Sequence, residues 1–460
     1  MNHASLQEKF AKIKPRMTDN EAAIESRRCL FCHDAPCTIA CPSAIDIPMF
    51  IRQISSWNAT GAAKTIFTQN ILGKSCAYVC PTQMLCEGSC VYHGLNEKPI
   101  DIGRLQGYAA DHAIDRNIRF FEKGKATNKK IAVVGAGPAG LSCAHELTRL
   151  GHDVTVFDAN PKAGGLNEYG VAPYKVTNAD TEAEVNYIRQ IGFELKTGVR
   201  VVTGDAKKPN DMALSELEKN FDAVFLSLGL GRSQRPGIHG EDLDGVVGAA
   251  EFIHQLREKE QKIGVGHNVV VVGAGNTAMD AAIESALLGA NVVVVYRRSE
   301  ADQSAYAFEI EHARQVGVGF TYLTSPTKIM GKKRVEGLKC VRNELTAQQS
   351  KNEKGRTRTM VRAVPNSEFV IPCDMVILAT GQEKFEEFYG AIDGVQLDKG
   401  KIIVNENFQT GNVKYFAGGD CINGGKEVVN AVADGRDAAR GIDKFLQGNA
   451  QSIADITEAK

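Results

Sequence analysis

IAVVGAGPAGLSCAHELTRLGHDVTVFD (residues 131–158) and VVVVGAGNTAMDAAIESALLGANVVVVYRR (residues 269–298) are one design written twice. Each opens with a β-branched apolar run of the length of a buried strand, turns through Gly-x-Gly, and continues in an Ala/Leu-rich stretch. Each then ends in a second β-branched strand. The glycine before that second strand, Gly151 or Gly289, stands at the same offset from the first motif glycine, Gly135 or Gly273. Strand, glycine turn, helix and strand make the nucleotide-binding half of a Rossmann-type domain, so two such domains are expected.

Two short segments, FLSLGLG (225–231) and VILATGQ (376–382), bracket the second unit and read as strands running into glycine turns. A chain can cross between domains there, and the simplest topology inserts the second nucleotide domain into the first. The expected fold is α/β with an α-helical N-terminal domain over residues 1–125. A first Rossmann-like part covers 126–231, the inserted domain 232–380, and the second part of the first domain 381–460. The N-terminal stretch holds a helical-looking IDIPMFIRQISSW, the only tryptophan (Trp57) and a polar exit, EKGKATNKK. KNEKGRTRT (351–359) is polar and reads as a hairpin or loop.

With 460 residues, several cores are needed. A net charge of -1, from 54 basic and 55 acidic side chains, provides no long-range positive field for nucleic acid or anionic membranes. The N-terminus has no apolar signal region, and no apolar run is long enough to span a bilayer. A cytoplasmic protein acting on small molecules and protein partners is expected.

The first fingerprint, Gly135, Gly137 and Gly140 with Pro138 and Ala139 opening the helix, suits a pyrophosphate at a helix N-terminus. Asp158 ends the second strand, where a carboxylate hydrogen-bonds ribose hydroxyls. A distant segment, YFAGGDCINGGKEVVNAVADGRDAA (415–439), points to FAD as the ligand. Its Gly419-Asp420 would face the ribityl-pyrophosphate, and a helix beginning near Glu427 and Val428 would aim N–H groups at the flavin. This pattern resembles the C-terminal flavin motif of flavoprotein reductases with two dinucleotide domains.

In the second fingerprint, Gly273 and Gly275 precede Asn276 and Thr277, and the acid is missing. Tyr296 stands in its place, followed by Arg297 and Arg298. Guanidinium groups there suit a 2′-phosphate, so NADPH is favoured over NADH; as ordinary solvated side chains they would carry no preference. Gly381 is placed with this nicotinamide site. No side-chain acid or base is expected to be catalytic, because hydride passes between bound cofactors.

Eight of the 12 cysteines cluster, as Cys29, Cys32, Cys37 and Cys41, then Cys76, Cys80, Cys86 and Cys90. Clustered thiols in a cytoplasmic chain mean metal. The run Cys-x2-Cys-x4-Cys-x3-Cys-Pro is similar to bacterial ferredoxins and points to two [4Fe-4S] clusters, with zinc sites as the alternative. Cys143, Cys340, Cys373 and Cys421 are scattered and read as buried thiols; the disulfide-reductase reading fails on position, since no Cys-x-x-Cys or Cys-x4-Cys sits in either dinucleotide domain.

RCLFCHDAPC, AAKTIFTQNILG, CAYVCPTQMLCEGSC, PIDIGRLQGYA, VVGAGPAGLSCA, GGLNEYG, VVGAGNTAMD and FAGGDC together resemble the NAD(P)H-oxidising part of dihydropyrimidine dehydrogenase, in particular the separate FAD/iron-sulfur subunit of the bacterial enzyme. The glutamate synthase small subunit shares the architecture. The resemblance implies Cys29, Cys32, Cys37 and Cys90 as ligands of one cluster. It implies Cys41, Cys80, Cys86 and the side-chain oxygen of Gln106 for the other, with Cys76 left out. It adds Gly165 and Lys175 to the flavin site, Lys175 standing where the family more often has Arg. Without the resemblance, Gln106 reads as a surface helix residue.

The activity implied is hydride transfer from NAD(P)H to FAD and single-electron transfer through the clusters to a partner. That partner would hold FMN in a (β/α)8 barrel, carry a ferredoxin-like domain, and reduce uracil or thymine within a heterotetramer; neither part is expected in this chain. The alternatives are a glutamate synthase small subunit and, in another class, a non-catalytic, zinc-stabilised dinucleotide-binding scaffold.

Overall fold

The computed structural model describes residues 6–259, 263–351 and 357–448. They divide into two compact units. The smaller comprises Gly231–Glu383, Tyr169–Tyr174 and the described residues up to Ala11; the larger comprises Lys12–Glu168, Lys175–Leu230 and the described chain from Lys384 onward.

The larger unit begins with helices α1 (Asp19–Arg27), α2 (Ile47–Ser55), α3 (Ala59–Gln69), α4 (Gly73–Val79) and α5 (Ile102–Asp115). A capping box starts α1: the Thr18 hydroxyl accepts from Glu21 N and the Glu21 carboxylate accepts from Thr18 N. Helix α2 buries Ile47, Phe50, Ile51 and Ile54, the apolar stripe of an amphipathic helix. Then follow β1 (Lys130–Val134), α6 (Pro138–Arg149), β2 (Asp153–Asp158), α7 (Asn178–Arg189), β3 (Glu194–Thr197) and β4 (Ala223–Leu226).

The smaller unit contributes β5 (Val246–Gly248), α8 (Ala249–Glu258), β6 (Asn268–Val272), α9 (Asn276–Leu287), β7 (Asn291–Val295) and β8 (Gly319–Thr321). An antiparallel ribbon of β9 (Thr324–Met330), β10 (Gly337–Lys351) and β11 (Thr357–Pro372) follows, then β12 (Met375–Leu378). The chain ends its ordered course in the larger unit with β13 (Tyr415–Ala417) and α10 (Val428–Leu446).

Both main sheets are parallel, in the orders β13-β4-β1-β2-β3 and β8-β7-β6-β12-β5. The strand that closes the first sheet therefore lies beyond the whole second sheet in sequence, which is the inserted topology expected from the bracketing glycine segments. Those segments pair: Gly231 N donates to Glu383 O, Glu383 N to Arg232 O, and Gln234 N to Gly381 O. Strands β10 and β11 flank the polar stretch read as hairpin or loop; residues 352–356 lie outside the described residues.

The cysteine-bearing helices and the first Rossmann sheet share one apolar core. Phe50, Ile66, Phe67 and Leu105 belong to the same buried cluster as Val133, Leu141, Phe225 and Ile442. A buried polar anchor reinforces it: Glu184, on α7, accepts from the backbone N–H groups of Lys74 and Ser75 and from the Ser75 hydroxyl. Beside it, Lys74 is buried against Asp111 and Asp180.

Burial lifts the Glu184 carboxyl to about 7, although the donors from Ser75 and Lys74 oppose the shift. The folded chain thus favours the protonated acid. The stability this gives is complete below the unfolded value of about 4.3 and is lost as pH rises through about 7. Glu184→Gln, whose amide can donate to Ser75 Oγ, is expected to cancel a pH-dependent loss of about 3 to 4 kcal/mol. Melting curves of both proteins should therefore diverge between about pH 4.3 and 7 and run parallel above. Parallel curves throughout that interval would sink the assignment.

Candidate functional site

The first crevice opens at the carboxyl ends of β1 and β4, where the connections leave in opposite directions. Gly135 has φ +105°, and a Cβ there would strike Ser227 O; the Ser227 hydroxyl in turn donates to Val134 O and Gly135 O. At Gly137 the situation reverses. A Cβ would meet only the Cα of Gly165, at 3.7 Å, so the glycine faces space and not protein. Gly137 is the N-cap of α6 and no side chain caps the helix; Pro138, at the first helical position, has no N–H, so the donors left for an anion are those of Ala139 and Gly140.

Helix α10 is laid along α6 because Gly435 has no side chain; a Cβ there would strike Ala139 O. Ser142 Oγ donates to Val432 O at 2.8 Å across the same contact. The starts of the two helices therefore come together, with Gly419 wedged between Ala139 and Ala431. Asp420 follows in a short helical turn, its carboxylate accepting from Lys426 N, and Glu427 is the N-cap of α10, which begins at Val428. Asp158 is buried; its two oxygens accept from Ala136 N and Asn160 N, and burial raises its carboxyl. An open glycine, an uncapped helix and a second converging helix start fit the pyrophosphate of FAD. Lys175 is buried in the same unit.

One residue of this crevice had no signal in the sequence. Asp434, in the interior of α10, accepts from Gly419 N and Asn423 Nδ2 and so fixes the turn, and burial raises its carboxyl. A groove beside it is lined by Asp398, Lys401, Ile402, Ile422 and Lys426.

The second crevice repeats the first. Strands β6 and β7 pair in the register of β1 and β2, Gly273 has φ +133°, and Gly275 is the N-cap of an uncapped α9. A Cβ on Gly275 would meet only Ser304 Oγ, at 3.5 Å. Asn276 Oδ1 accepts from Tyr306 N, holding the loop over the helix start, and Thr277 follows on its first turn. Tyr296 is buried with its hydroxyl donating to Asp302 O, so the position that holds Asp158 in the first crevice offers no carboxylate here. Arg297 is exposed and Arg298 half-buried; Gly381, with φ +121°, lies in the crossing segment.

Cys29, Cys32, Cys37 and Cys90 line one pocket, walled by Ile47, Pro48, Ile51, Ile100 and Ile102. Four thiols in an apolar wall suit a cube that must be shielded from water. Burial pushes the Cys37 thiol up to about 11, with Cys29 and Cys90 adding to it, and burial also raises the Cys29 thiol. Cys41, Cys80 and Cys86 are mutual neighbours, each thiol raised: by burial first at Cys41 and Cys86, and at Cys80 by Cys76 first and then burial.

Gln106 is buried on α5, contrary to its reading as a surface helix residue, because α5 packs on α4. Its Nε2 donates to Gly73 O at 2.7 Å. A carbonyl can only accept, so the nitrogen must face Gly73 and the oxygen is turned the other way. Cys76 lies against Cys80 within hydrogen-bond reach. Cys143, Cys340, Cys373 and Cys421 are all buried, as read from the sequence.

Arg436 joins the quartets to the flavin crevice. From α10 its guanidinium donates to Ser43 O, beside Cys41, and to Gln69 O and Oε1.

Two Rossmann crevices in one chain with paired cysteine groups define an iron-sulfur flavoprotein oxidoreductase. The chain belongs to the pyridine nucleotide-disulphide oxidoreductase family, which residues 129–435 match; residues 6–118 match the 4Fe-4S domain II family of dihydropyrimidine dehydrogenase. It therefore carries FAD, NAD(P)H and [4Fe-4S] clusters, and the zinc alternative falls away.

Over 95% of its length the chain is 35% identical to the glutamate synthase [NADPH] small chain of Escherichia coli (strain K12), covering 94% of it. It is 32% identical, again over 95%, to the NAD-dependent dihydropyrimidine dehydrogenase subunit PreT of that organism, covering 97%. Its fold is similar to Mycobacterium tuberculosis FprA in complex with NADPH, with TM-score 0.56 and 21% identity over 72% of this chain and 88% of that one. Among the described residues, no helix is long and apolar enough to cross a membrane.

Proposed function

We propose that the chain is the electron-input subunit of a dihydropyrimidine dehydrogenase, taking hydride from NAD(P)H and delivering electrons to an FMN-containing partner that reduces uracil or thymine. The observation that carries the electron-input reading is the shared core of cysteine quartets and flavin crevice, tied by Arg436 and Glu184. Fixed spacing between redox groups is what stepwise electron transfer requires. The pyrimidine partner is supported by the AAKTIFTQNILG motif and by the match to domain II of that enzyme family.

Bound FAD supplies the exchange between two-electron and one-electron chemistry, and the clusters supply the one-electron path. The chain's own residues bind and orient. Ala139, Gly140 and the start of α10 would present N–H groups to the flavin nucleotide, with Pro138 fixing the first turn of α6, while Asp158 would meet the ribose and Asp420 the ribityl chain. Gly165 gives the pyrophosphate clearance, and Lys175 stands near the flavin. Asn276, Thr277 and the start of α9 would take the nicotinamide cofactor's pyrophosphate, with Gly381 lining that site. Cys29, Cys32, Cys37 and Cys90 would hold one cluster; Cys41, Cys80, Cys86 and the Gln106 oxygen would hold the other. Ile47, Ile51 and Ile100 exclude water from the first.

A second reading, the small subunit of glutamate synthase, is favoured by the 35% identity to that chain. Anaerobic purification of the tagged chain from its own host, with mass spectrometry of what accompanies it, separates the two. An FMN-barrel protein with a ferredoxin-like domain, and uracil-dependent NAD(P)H oxidation by the pair, is the expected result. A large amidotransferase-bearing synthase in its place would overturn the pyrimidine assignment and leave the electron-input reading standing.

A further inference from the structure

The strap that leads into α1 holds a cation against the second cysteine group. Residues 12–16 read Lys-Ile-Lys-Pro-Arg, and contacts at Lys12, Pro15 and Arg16 fix their course. Lys12 Nζ pairs with Asp180 at 2.5 Å, Arg16 pairs with Asp111 at 2.9 Å and with Asp115 at 2.6 Å, and Arg104 Nε donates to Pro15 O at 3.0 Å. Lys14, between these anchors, turns to the end of α4. Its Nζ donates to Cys80 O at 3.0 Å and reaches Thr82 Oγ1 at 3.4 Å. Among the described residues no acid stands within ion-pair distance of Lys14. Glu87, the buried acid nearest in sequence to this contact, accepts from Gly103 N at 2.9 Å instead.

A lysine at a helix C-terminus can do no more than satisfy a carbonyl, and Cys80 is the C-cap of α4. Two features set Lys14 apart from a plain cap. The residue that it touches is itself one of the proposed cluster ligands, and the Lys14 charge is felt at the sulfur: Cys76 first and then burial raise the Cys80 thiol, Lys14 acts in the opposite direction, and Glu427 opposes Lys14. The first quartet has no counterpart. Arg28, beside Cys29, pairs with Glu25 at 2.7 Å, and Arg52 is exposed and lies over the Phe31 ring. Reduction adds one negative charge to a cluster, and a fixed, unpaired cation beside a buried ligand favours the more negative state.

We propose that Lys14 sets the reduction potential of the second cluster: its ammonium group, held against Cys80 by the strap, stabilises the added electron. The proposal rests on the reading of Cys41, Cys80, Cys86 and Gln106 as the ligands of that cluster. Lys14 is a positioning residue in this role. It places a charge and exchanges neither electron nor proton.

The test is a potentiometric titration of the full-length purified holoprotein with titanium(III) citrate, followed by electron paramagnetic resonance of the reduced clusters. In Lys14→Met the reduction equilibrium of one cluster should fall about tenfold, a shift of about 59 mV toward lower potential for one electron. The other cluster, the iron content and the FAD content should be unchanged. Lys14→Arg, which keeps the charge, should restore most of the potential. Lys14→Gln keeps a donor without the charge and should behave as Lys14→Met does, whereas a mere cap would leave its potentials at the wild-type values. Lys12→Met removes a neighbouring cation already paired with Asp180 and should leave both potentials in place.

Wild-type potentials in both Lys14→Met and Lys14→Gln overturn the proposal and leave Lys14 as a helix cap. An equal shift in Lys12→Met overturns it too, because the effect then follows the course of the strap and not the Lys14 charge. The ligand reading is tested apart from this: the signal that shifts should be the one that Cys37→Ser retains. A Lys14-sensitive signal that disappears in Cys37→Ser overturns the ligand reading, and with it the assignment of Lys14 to the second cluster.

Discussion

Cys37→Ser is expected to yield a protein with about half the iron and acid-labile sulfide of the wild type and its full complement of FAD. Cys37 shares its pocket with Cys29, Cys32 and Cys90, and no other cysteine lines that pocket. Serine is a poor ligand for a cluster iron, and the three thiols that remain do not complete the four-ligand set of a cube. The second group, Cys41, Cys80 and Cys86, lies elsewhere in the fold and should keep its cluster.

NAD(P)H oxidation with ferricyanide, which can draw electrons from flavin, should continue, while delivery to the protein partner falls at least about a hundredfold. Cys76→Ala is the matched control. Cys76 is buried against Cys80 and is not among the proposed ligands; its loss should cost about 1 to 2 kcal/mol of stability and no iron. Full iron in Cys37→Ser, or half in Cys76→Ala, would mean that the quartets are partitioned differently.

Gly137→Ala is expected to separate folding from flavin binding. The backbone there has φ −77°, which any residue adopts, and the added Cβ would make an ordinary contact with the Cα of Gly165. The empty fold therefore tolerates the change. The FAD pyrophosphate does not, because it must approach the α6 N–H groups across the space the methyl would fill. FAD affinity should fall at least about a hundredfold, giving a protein with clusters, a native circular dichroism spectrum and no flavin absorbance. Its melting point should drop by no more than the loss of the bound flavin accounts for.

Gly135→Ala should behave differently. With φ +105° and Ser227 O in the path of a Cβ, that substitution damages the turn itself and lowers the yield of folded protein. A flavin-replete Gly137→Ala would remove the first crevice as the FAD site.

The two crevices were readable because a Rossmann turn is local. Strand, glycine turn and helix lie within thirty or so consecutive residues, and the positions of Gly135, Gly137 and Gly140, or Gly273 and Gly275, follow from steric requirements of adjacent backbone. The inserted topology was also open to inference, since FLSLGLG and VILATGQ mark where the chain must cross. Clustered cysteines announced metal by composition alone. For the same reason the four scattered cysteines were correctly read as buried thiols.

What only the tertiary structure decided is every contact whose partners are far apart in the chain and obey no period. The chain order of eight cysteines does not say that Cys90 joins Cys29, Cys32 and Cys37 in one apolar pocket; the resemblance implied it, and packing of α2 and the segment around Ile100 forms the wall. Gln106 has no visible mark of burial, because its environment is created by α4 laid against α5. Glu184 reaching Ser75, Arg436 reaching Ser43 and Asp434 fixing Gly419 carry no sequence signal for a like reason. Local sterics and periodicity specify the two nucleotide turns from their own residues. Buried polar anchoring and charge clustering depend on which distant segments the core brings together, and that is settled only when the chain has folded.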